Sequence, residues 1–439
     1  MRMLYVDNYR GFTSTWIPVA DVNFLVGENS TGKTSILSLI NVLGSFEFWW
    51  QGQFNNDEVE LGAFRDIVSA SRPDATSFSI GVIECVDGED FPSSSQCAFL
   101  MRFTQHRGMP RLKEWSFVSG DHQIRASFGP KRARYTTQEI TPNKDLPSTL
   151  QQVFHEWLNE PITATGYKQL SREQLGPYRL LHIYVMLRSL AAGKPLEDME
   201  QDGILRPPIP SFAQVITWLA PVRSKPARIY SGLRRSYSPE GDHMPGQVRQ
   251  ILGGEKASER FHQFTQSFGK DSHLFDEIYV RNFGRGLTSA FELGITLGGA
   301  SYVISDVGYG VSQALPILVE LYSSAGRRNN WYAMQQPEVH LHPKAQAAIG
   351  DLVFETSSND EQRFLIETHS DYLIDRFRIR VRESDPRPSL SCQVLFFERD
   401  EDGNSVVPVE IHDDGSYSDG QPEGFRSFFI HEKLRLLGL

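Results

Sequence analysis

The octapeptide Gly27-Glu28-Asn29-Ser30-Thr31-Gly32-Lys33-Thr34 fills every fixed position of the pattern G-x-x-x-x-G-K-S/T. An apolar run, Val22-Asn23-Phe24-Leu25-Val26, precedes it and reads as a buried strand. After it, Ser35 to Leu43 carries apolar residues at helical spacing. Strand, glycine loop and helix start aim successive backbone N–H groups and the positive helix end at one point, which suits a polyphosphate. Asn29, Ser30, Thr31, Gly32, Lys33, Thr34 and Ser35 are the expected contacts. Lys33 suits the β- and γ-phosphates, and the Thr34 hydroxyl suits Mg²⁺.

Complementary chemistry lies some three hundred residues further on. Trp331-Tyr332-Ala333-Met334 reads as a short strand running into Gln335-Gln336-Pro337-Glu338-Val339-His340-Leu341-His342-Pro343. A carboxylate at such a strand end holds the water shell of a phosphate-bound Mg²⁺, and a neighbouring one orients the attacking water. Arg363 to Ile366 reads as another strand, ending in Glu367-Thr368-His369-Ser370. A lone histidine is usually structural, but its place after a strand and after the Gln335 segment favours a role for His369. Ser305-Asp306-Val307-Gly308-Tyr309-Gly310-Val311-Ser312-Gln313 leads into an apolar helix, and its glycines and serine read as a capped, phosphate-ready helix start.

Taken in this order, the four segments resemble the ATP-binding heads of ABC-type ATPases. The nearest text is that of the OLD-like/AAA15–21 group, related to SMC and RecF. The Gln335–Pro343 segment is similar to that group's Walker B and D-loop text, hhhE-E/Q-P-E-x-x-L-H-P. Thr368-His369-Ser370 resembles its H-loop, whose imidazole contacts the γ-phosphate. Gly308 to Pro316 resembles its signature, in which the serine of one subunit closes over ATP held by the other. Asn8-Tyr9-Arg10-Gly11-Phe12 is similar to a turn that places a basic residue near the nucleotide.

The resemblance implies an α/β P-loop head with a mixed sheet, helices on both faces and an antiparallel β lobe. It implies ATP and Mg²⁺ as cofactors, and a homodimer that could assemble further. Gln335, Gln336, Glu338 and His369 become the catalytic candidates. Arg10, Gly310, Ser312 and Gln313 join the nucleotide contacts, and Gln335 and Gln53 join Thr34 as metal candidates. One departure bears on activity, because Gln335 stands where the group has an acid. A glutamine keeps the shape but not the charge. Either the chain is naturally slow at hydrolysis, or a glutamate has been exchanged deliberately to trap ATP; the intact remainder of the site favours the second.

The expected organisation is an N-terminal lobe over 1–130, a mainly helical insertion over 131–220 and a C-terminal lobe over 221–439. Within the first, Ser77–Glu84 and Gln96–Phe103 alternate as half-buried strands do, and Glu60–Ile67 falls in the Q-loop region. In the insertion, Leu150, Val153, Phe154 and Trp157 share a face, followed by Tyr178, Leu181, Ile183 and Tyr184. No sustained heptads appear, so a long SMC-type coiled coil is not expected. The tail reads as a hairpin around Arg399–Asn404, with a solvated acidic turn, and a closing helix. No membrane-length apolar run or secretory leader is visible, and three cysteines lack metal or disulfide spacing, so a cytoplasmic site is expected.

A net charge of −10 argues against a chain that wraps nucleic acid. Basic clusters at Lys131–Arg134 and between Arg223 and Arg235 leave nucleic-acid contact open, with a solvated, salt-bridged face as the alternative. Pro221-Val222-Arg223 onward and Pro422-Glu423-Gly424-Phe425 also resemble text of AAA15/21-type ATPases. The Toprim nuclease of many OLD proteins is not visible after His369. The resemblance therefore points to a sensor or scaffold ATPase of bacterial anti-phage defence, controlling a separately encoded nuclease or toxin. A RecF/SMC-like DNA-repair or DNA-clamping ATPase is the alternative.

Overall fold

The computed structural model describes residues 1–425 apart from 71, 73–74, 86–95, 130–131, 141–144, 161, 163–166, 172–178, 194–206, 215, 222, 232–235, 287, 324–329 and 423. Lys131, Tyr178, Arg235, Glu423 and the expected closing helix lie outside the described residues. The chain forms two compact units, one of Met1–Val19, Glu28–Val215 and Phe397–Pro408, the other of Ala20–Gly27, Ile216–Phe396 and Val409–Leu439.

The first unit is built on an eight-stranded sheet in the order Thr15–Pro18, Arg2–Asp7, Ser77–Cys85, Gln96–His106, Met109–Ser119, His122–Phe128, Arg132–Glu139, Lys168–Ser171. Every pairing in it is antiparallel. The Arg2–Asp7 strand has a partner on each side. Ser77–Cys85 is not half-buried as its alternation suggests, since all but its first residue are buried. Phe78 meets Phe54 and Phe103 on one face. On the other, Ile83 and Cys85 join a core with Phe154 and Trp157 of the helix Leu146–Asn159. At Gly81 a Cβ would stand 2.4 Å from the Phe154 ring, so only glycine lets that helix approach so closely.

The second unit holds the six-stranded sheet Ile216–Leu219, Trp331–Gln335, Arg363–Glu367, Val22–Gly27, Cys392–Arg399, Asn404–Glu410, of which residues 397–408 count with the first unit. The first four strands run parallel. Their apolar runs suit a sheet covered on both faces, and Val22–Gly27 is buried throughout. Phe24 packs on Phe377 of the helix Asp371–Glu383 with ring centroids 5.2 Å apart. A Cβ at Gly350, in the helix Pro343–Asn359, would meet the Leu373 carbonyl at 2.4 Å, so these two helices close at a glycine. Strands Glu277–Asn282, Phe291–Leu297 and Ala300–Val303 make a separate antiparallel sheet. The register pairs Leu219 with Met334, Gln335 with Glu367 and Glu367 with Leu25. The four parallel strands thus finish at one carboxyl edge, the edge at which open α/β sheets bind ligands. The fold is α/β, with a mixed sheet in one unit and an antiparallel sheet in the other.

Candidate functional site

The loop after Val22–Gly27 adopts the backbone that its glycines allow. Gly27, Ser30 and Gly32 have φ of 142°, 65° and 98°, and the helix Lys33–Gly44 starts directly on Gly32. Positive φ at alternate points turns successive N–H groups toward one concavity, an anion nest at a helix N-terminus. A Cβ at Gly32 would lie 2.5 Å from the Phe12 ring. Lys33 is 3% exposed, and its Nζ donates to the Glu28 carbonyl at 2.6 Å, which also accepts the Thr31 hydroxyl. Asn29, Ser30 and Thr34 are exposed, and Ser35 is half-buried.

The turn at Asn8–Phe12 is fastened to this loop within the same unit. Asn8, Arg10 and Gly11 take positive φ, and Tyr9 and Phe12 exchange backbone hydrogen bonds. The Tyr9 hydroxyl donates to the Ser35 carbonyl at 2.9 Å. The Arg10 guanidinium spans the Leu61 and Asp66 carbonyls, so it is tied to the stretch read as the Q-loop region. Asn404, unremarked in the sequence, donates its backbone N–H to the Gly11 carbonyl and packs its amide against Gly11 and Gly32. Gln53 lies exposed beyond the π-helical turn Glu47–Gln51, its N–H on the Glu47 carbonyl.

In the second unit, the carboxyl edge gathers several of the other candidates. Gln335 ends its strand buried, and its Nε2 donates to Glu367 Oε2 at 3.5 Å. Gln336 has φ of 42° and donates its N–H to the Glu367 carbonyl at 2.7 Å. Glu338 is half-buried; its Oε1 accepts the His369 N–H at 2.7 Å, whereas Oε2 is covered and has no hydrogen-bond partner among the described residues. Burial raises the Glu338 pKa above its ordinary value, opposed chiefly by the His369 N–H and more weakly by the Arg223 charge. Thr368 N–H bonds the Leu25 carbonyl, and Ser370 caps the following helix while donating to Gln346 at 2.6 Å. The backbone on each side of His369 is therefore pinned.

The signature segment differs from its sequence reading. The helix runs Tyr309–Ser323, so Gly310, Ser312 and Gln313 lie inside it, not ahead of it. Ser312 is 4% exposed and its hydroxyl donates to the Tyr309 carbonyl at 2.8 Å, so it closes the first turn from within. Exposed Tyr309 lies 6.0 Å from the His340 ring. The solvated-face reading of the arginine cluster also fails at Arg223, which is buried, whereas Lys225 and Arg228 are exposed. In the tail, Asp400 accepts the Asp402 and Gly403 N–H groups, which makes the acidic stretch a turn.

Sequence reasoning missed Glu367 and Arg223 as members of this edge. The signal for Glu367 was its place as the last residue of a strand parallel to that of Gln335. Among the described residues, no helix is long and apolar enough to cross a membrane.

No curated protein matches the chain. It is similar in fold to an SMC head bound to the C-winged-helix domain of ScpA, at 11% identity over 93% of this chain and 97% of that one, with a TM-score of 0.43. The SMC head domain from Thermotoga maritima aligns at 13% identity over 94% and 100%, with a TM-score of 0.40. The SMC head with an extended coiled coil bound to the C-terminal domain of ScpA, from Pyrococcus furiosus, aligns at 11% over 99% and 100%, with a TM-score of 0.38. Residues 1–82 and 247–374 match the family model described as an AAA ATPase domain, which takes in the glycine loop, the signature helix, Gln335–Glu338 and His369. Over those residues the chain is similar to an AAA ATPase domain.

Proposed function

We propose that the chain binds ATP with Mg²⁺ and uses it to form a homodimer that hydrolysis breaks only slowly. The observation that carries this is the glycine loop itself, a nest of left-handed residues closed by Lys33 at the start of a buried helix. Lys33 would leave the Glu28 carbonyl for the β- and γ-phosphates, with the N–H groups of residues 29–35 around them. Arg10 would flank the nucleotide from its anchored turn. His369, held by its own N–H, would aim its imidazole at the terminal phosphate.

A donor of the second unit suits Mg²⁺: Glu338 Oε2 is a covered carboxylate oxygen with no hydrogen-bond partner among the described residues. Thr34, Gln335 and Gln53 are the proposed ligands or holders of its water shell. The ion would neutralise charge on the phosphates. Gln335 and Gln336 offer amides, not bases, which leaves Glu338 and Glu367 as the carboxylates near these residues. Slow turnover follows from these amides.

Gly310, Ser312 and Gln313 would close over the partner's nucleotide, with exposed Tyr309 at the joint. Because Ser312 is tucked into its own helix turn, this closure would require it to exchange the Tyr309 carbonyl for phosphate. The finer use we propose is control of a separately encoded nuclease or toxin in anti-phage defence, supported by the likeness of the Gln335–Pro343 and Thr368–Ser370 text to OLD-like ATPases. A static light-scattering mass measured with ATP, ADP and no nucleotide tests the dimer. Doubling with ATP alone is expected, and a mass indifferent to ATP would refute it. Stoichiometric co-purification of a protein supports the defence role; salt-sensitive duplex DNA binding by the ATPase alone favours the RecF/SMC-like alternative instead.

A further inference from the structure

In the first unit, the turn Glu47–Gln51, the hairpin of Gln96–His106 and Met109–Ser119, and the helix Leu180–Ala192 line a cavity of about 340 Å³. Its floor is apolar, with Phe103, Leu112, Leu180 and Ile183 buried beneath it. Its rim is polar: Gln51 and His106 are exposed and Arg111 is half-buried. An apolar recess with a few polar groups at its mouth is the usual form of a ligand site. Two aromatic rings border it. Trp50, which precedes Gln51, stacks with Phe46 at 5.4 Å and an interplanar angle of 19°. The guanidinium of Arg179, which precedes Leu180, lies 4.9 Å from the Trp50 ring centre. Phe46 is 61% exposed, so its ring is the open end of this column. The charge here is opposite in sign to the chain's net −10. The hairpin carries Arg102, Arg107, Arg111 and Lys113, and the helix carries Arg188 with Arg179 just before it; the acids on these elements are Glu47 and Glu114. Glu114 is paired with Arg102 at 2.9 Å, whereas Arg107 and Lys113 stand exposed. A recess for a flat apolar ring, an open aromatic stack and an excess of cations match the base, the base stack and the phosphates of an unpaired strand. A duplex keeps its bases stacked inside and would use the cations alone.

We propose that this surface binds single-stranded nucleic acid, with one base in the cavity over Phe103, Leu112 and Ile183, a neighbouring base stacked on Phe46, and phosphates against Arg107 and Arg111. Gln51 and His106 at the rim can hydrogen-bond the edge of the seated base. These residues lie outside the two basic runs that stand out in the sequence. The site does not depend on the ATP reading.

The test is fluorescence anisotropy of the intact chain with a labelled oligothymidylate of about ten nucleotides, a length such a groove spans. A duplex of the same length, thymidine monophosphate and polyglutamate are the competitors, and Phe46→Ala, Arg107→Gln and Arg111→Gln are the variants. The single strand should bind at least about tenfold more tightly than the duplex. Phe46→Ala should weaken it by about tenfold, the size of one lost base stack, and leave the salt dependence unchanged. Arg107→Gln and Arg111→Gln should each flatten the slope of log affinity against log salt by about 0.7, one phosphate contact on a single strand. Phe46 and Arg107 are exposed, so their variants should melt as the unsubstituted chain does, and they decide the proposal if Arg111→Gln does not fold. Equal affinity for duplex and single strand would overturn the proposal. So would a mononucleotide that binds as tightly as the oligomer, polyglutamate that displaces the strand as well as unlabelled oligothymidylate does, or variants indistinguishable from the unsubstituted chain. Absence of any strand binding overturns it too, and leaves ATP binding, measured separately, untouched.

Discussion

The glycine loop and the carboxyl edge of the parallel sheet serve one proposed chemistry by opposite means. The loop is defined by backbone: Gly27, Ser30 and Gly32 fix the path, and the helix start supplies the dipole. The edge is defined by side chains from distant parts of the chain, such as Gln335 donating to Glu367 and Glu338 accepting the His369 N–H. A backbone site announces itself in a contiguous pattern. A side-chain site becomes visible only after the strands are in register.

The largest expected effect breaks the backbone half. In Gly32→Val the new side chain would enter the Phe12 ring at a φ of 98°, so nucleotide binding should vanish and stability fall by about 2–4 kcal/mol. Thermal unfolding with and without ATP checks both. A variant that melts normally and binds ATP would show that the loop is not held as described.

Next comes the side-chain half. Gln335→Glu would set a second buried carboxylate beside Glu367, where Gln335 Nε2 now stands 3.5 Å from Oε2. Without metal this should cost about 1–3 kcal/mol near neutral pH. One of the two acids would have a raised pKa, so the folded form holds its proton longer and the cost should grow as pH rises. Mg²⁺ and ATP should restore the loss and phosphate release should increase; no gain in turnover would speak against the reading of Gln335.

Glu338→Gln should alter the pH dependence more than the stability itself. Burial raises the Glu338 pKa above 4.5, so on raising pH the unfolded chain loses this proton first and the folded state loses ground. Below 4.5 both states are protonated and the group contributes no slope. The variant should flatten the denaturation midpoint above that point. An unchanged profile would show Glu338 to be solvated.

The smallest effect on the isolated chain is expected from Ser312→Ala, about 0.5–1.5 kcal/mol for the lost hydrogen bond to Tyr309. Its effect on assembly should be far larger, with ATP no longer doubling the mass.

Much of the α/β class was legible, because Val22–Val26, Trp331–Gln335 and Arg363–Glu367 are apolar enough to be read as buried strands. Ser77–Cys85 was misread as half-buried since alternation cannot reveal that Phe154 covers its second face. The signature helix starts earlier than its glycines suggest, because the Ser312 hydroxyl closes a turn inside the helix instead of capping it. Arg223 sat in a run of basic residues that reads as solvated, and nothing local marks the one that turns inward. Burial of a charge is a tertiary fact.

The central claim is that the Gly27–Thr34 loop binds ATP. Calorimetric titration of the intact chain with ATP and Mg²⁺, beside Lys33→Ala, tests it most directly. Saturable binding of about one ATP per chain, weakened by at least about a hundredfold in Lys33→Ala, is the expected result, as for a lost charge-assisted contact to phosphate. Equal affinity in the two proteins, or no heat in either, would contradict the account.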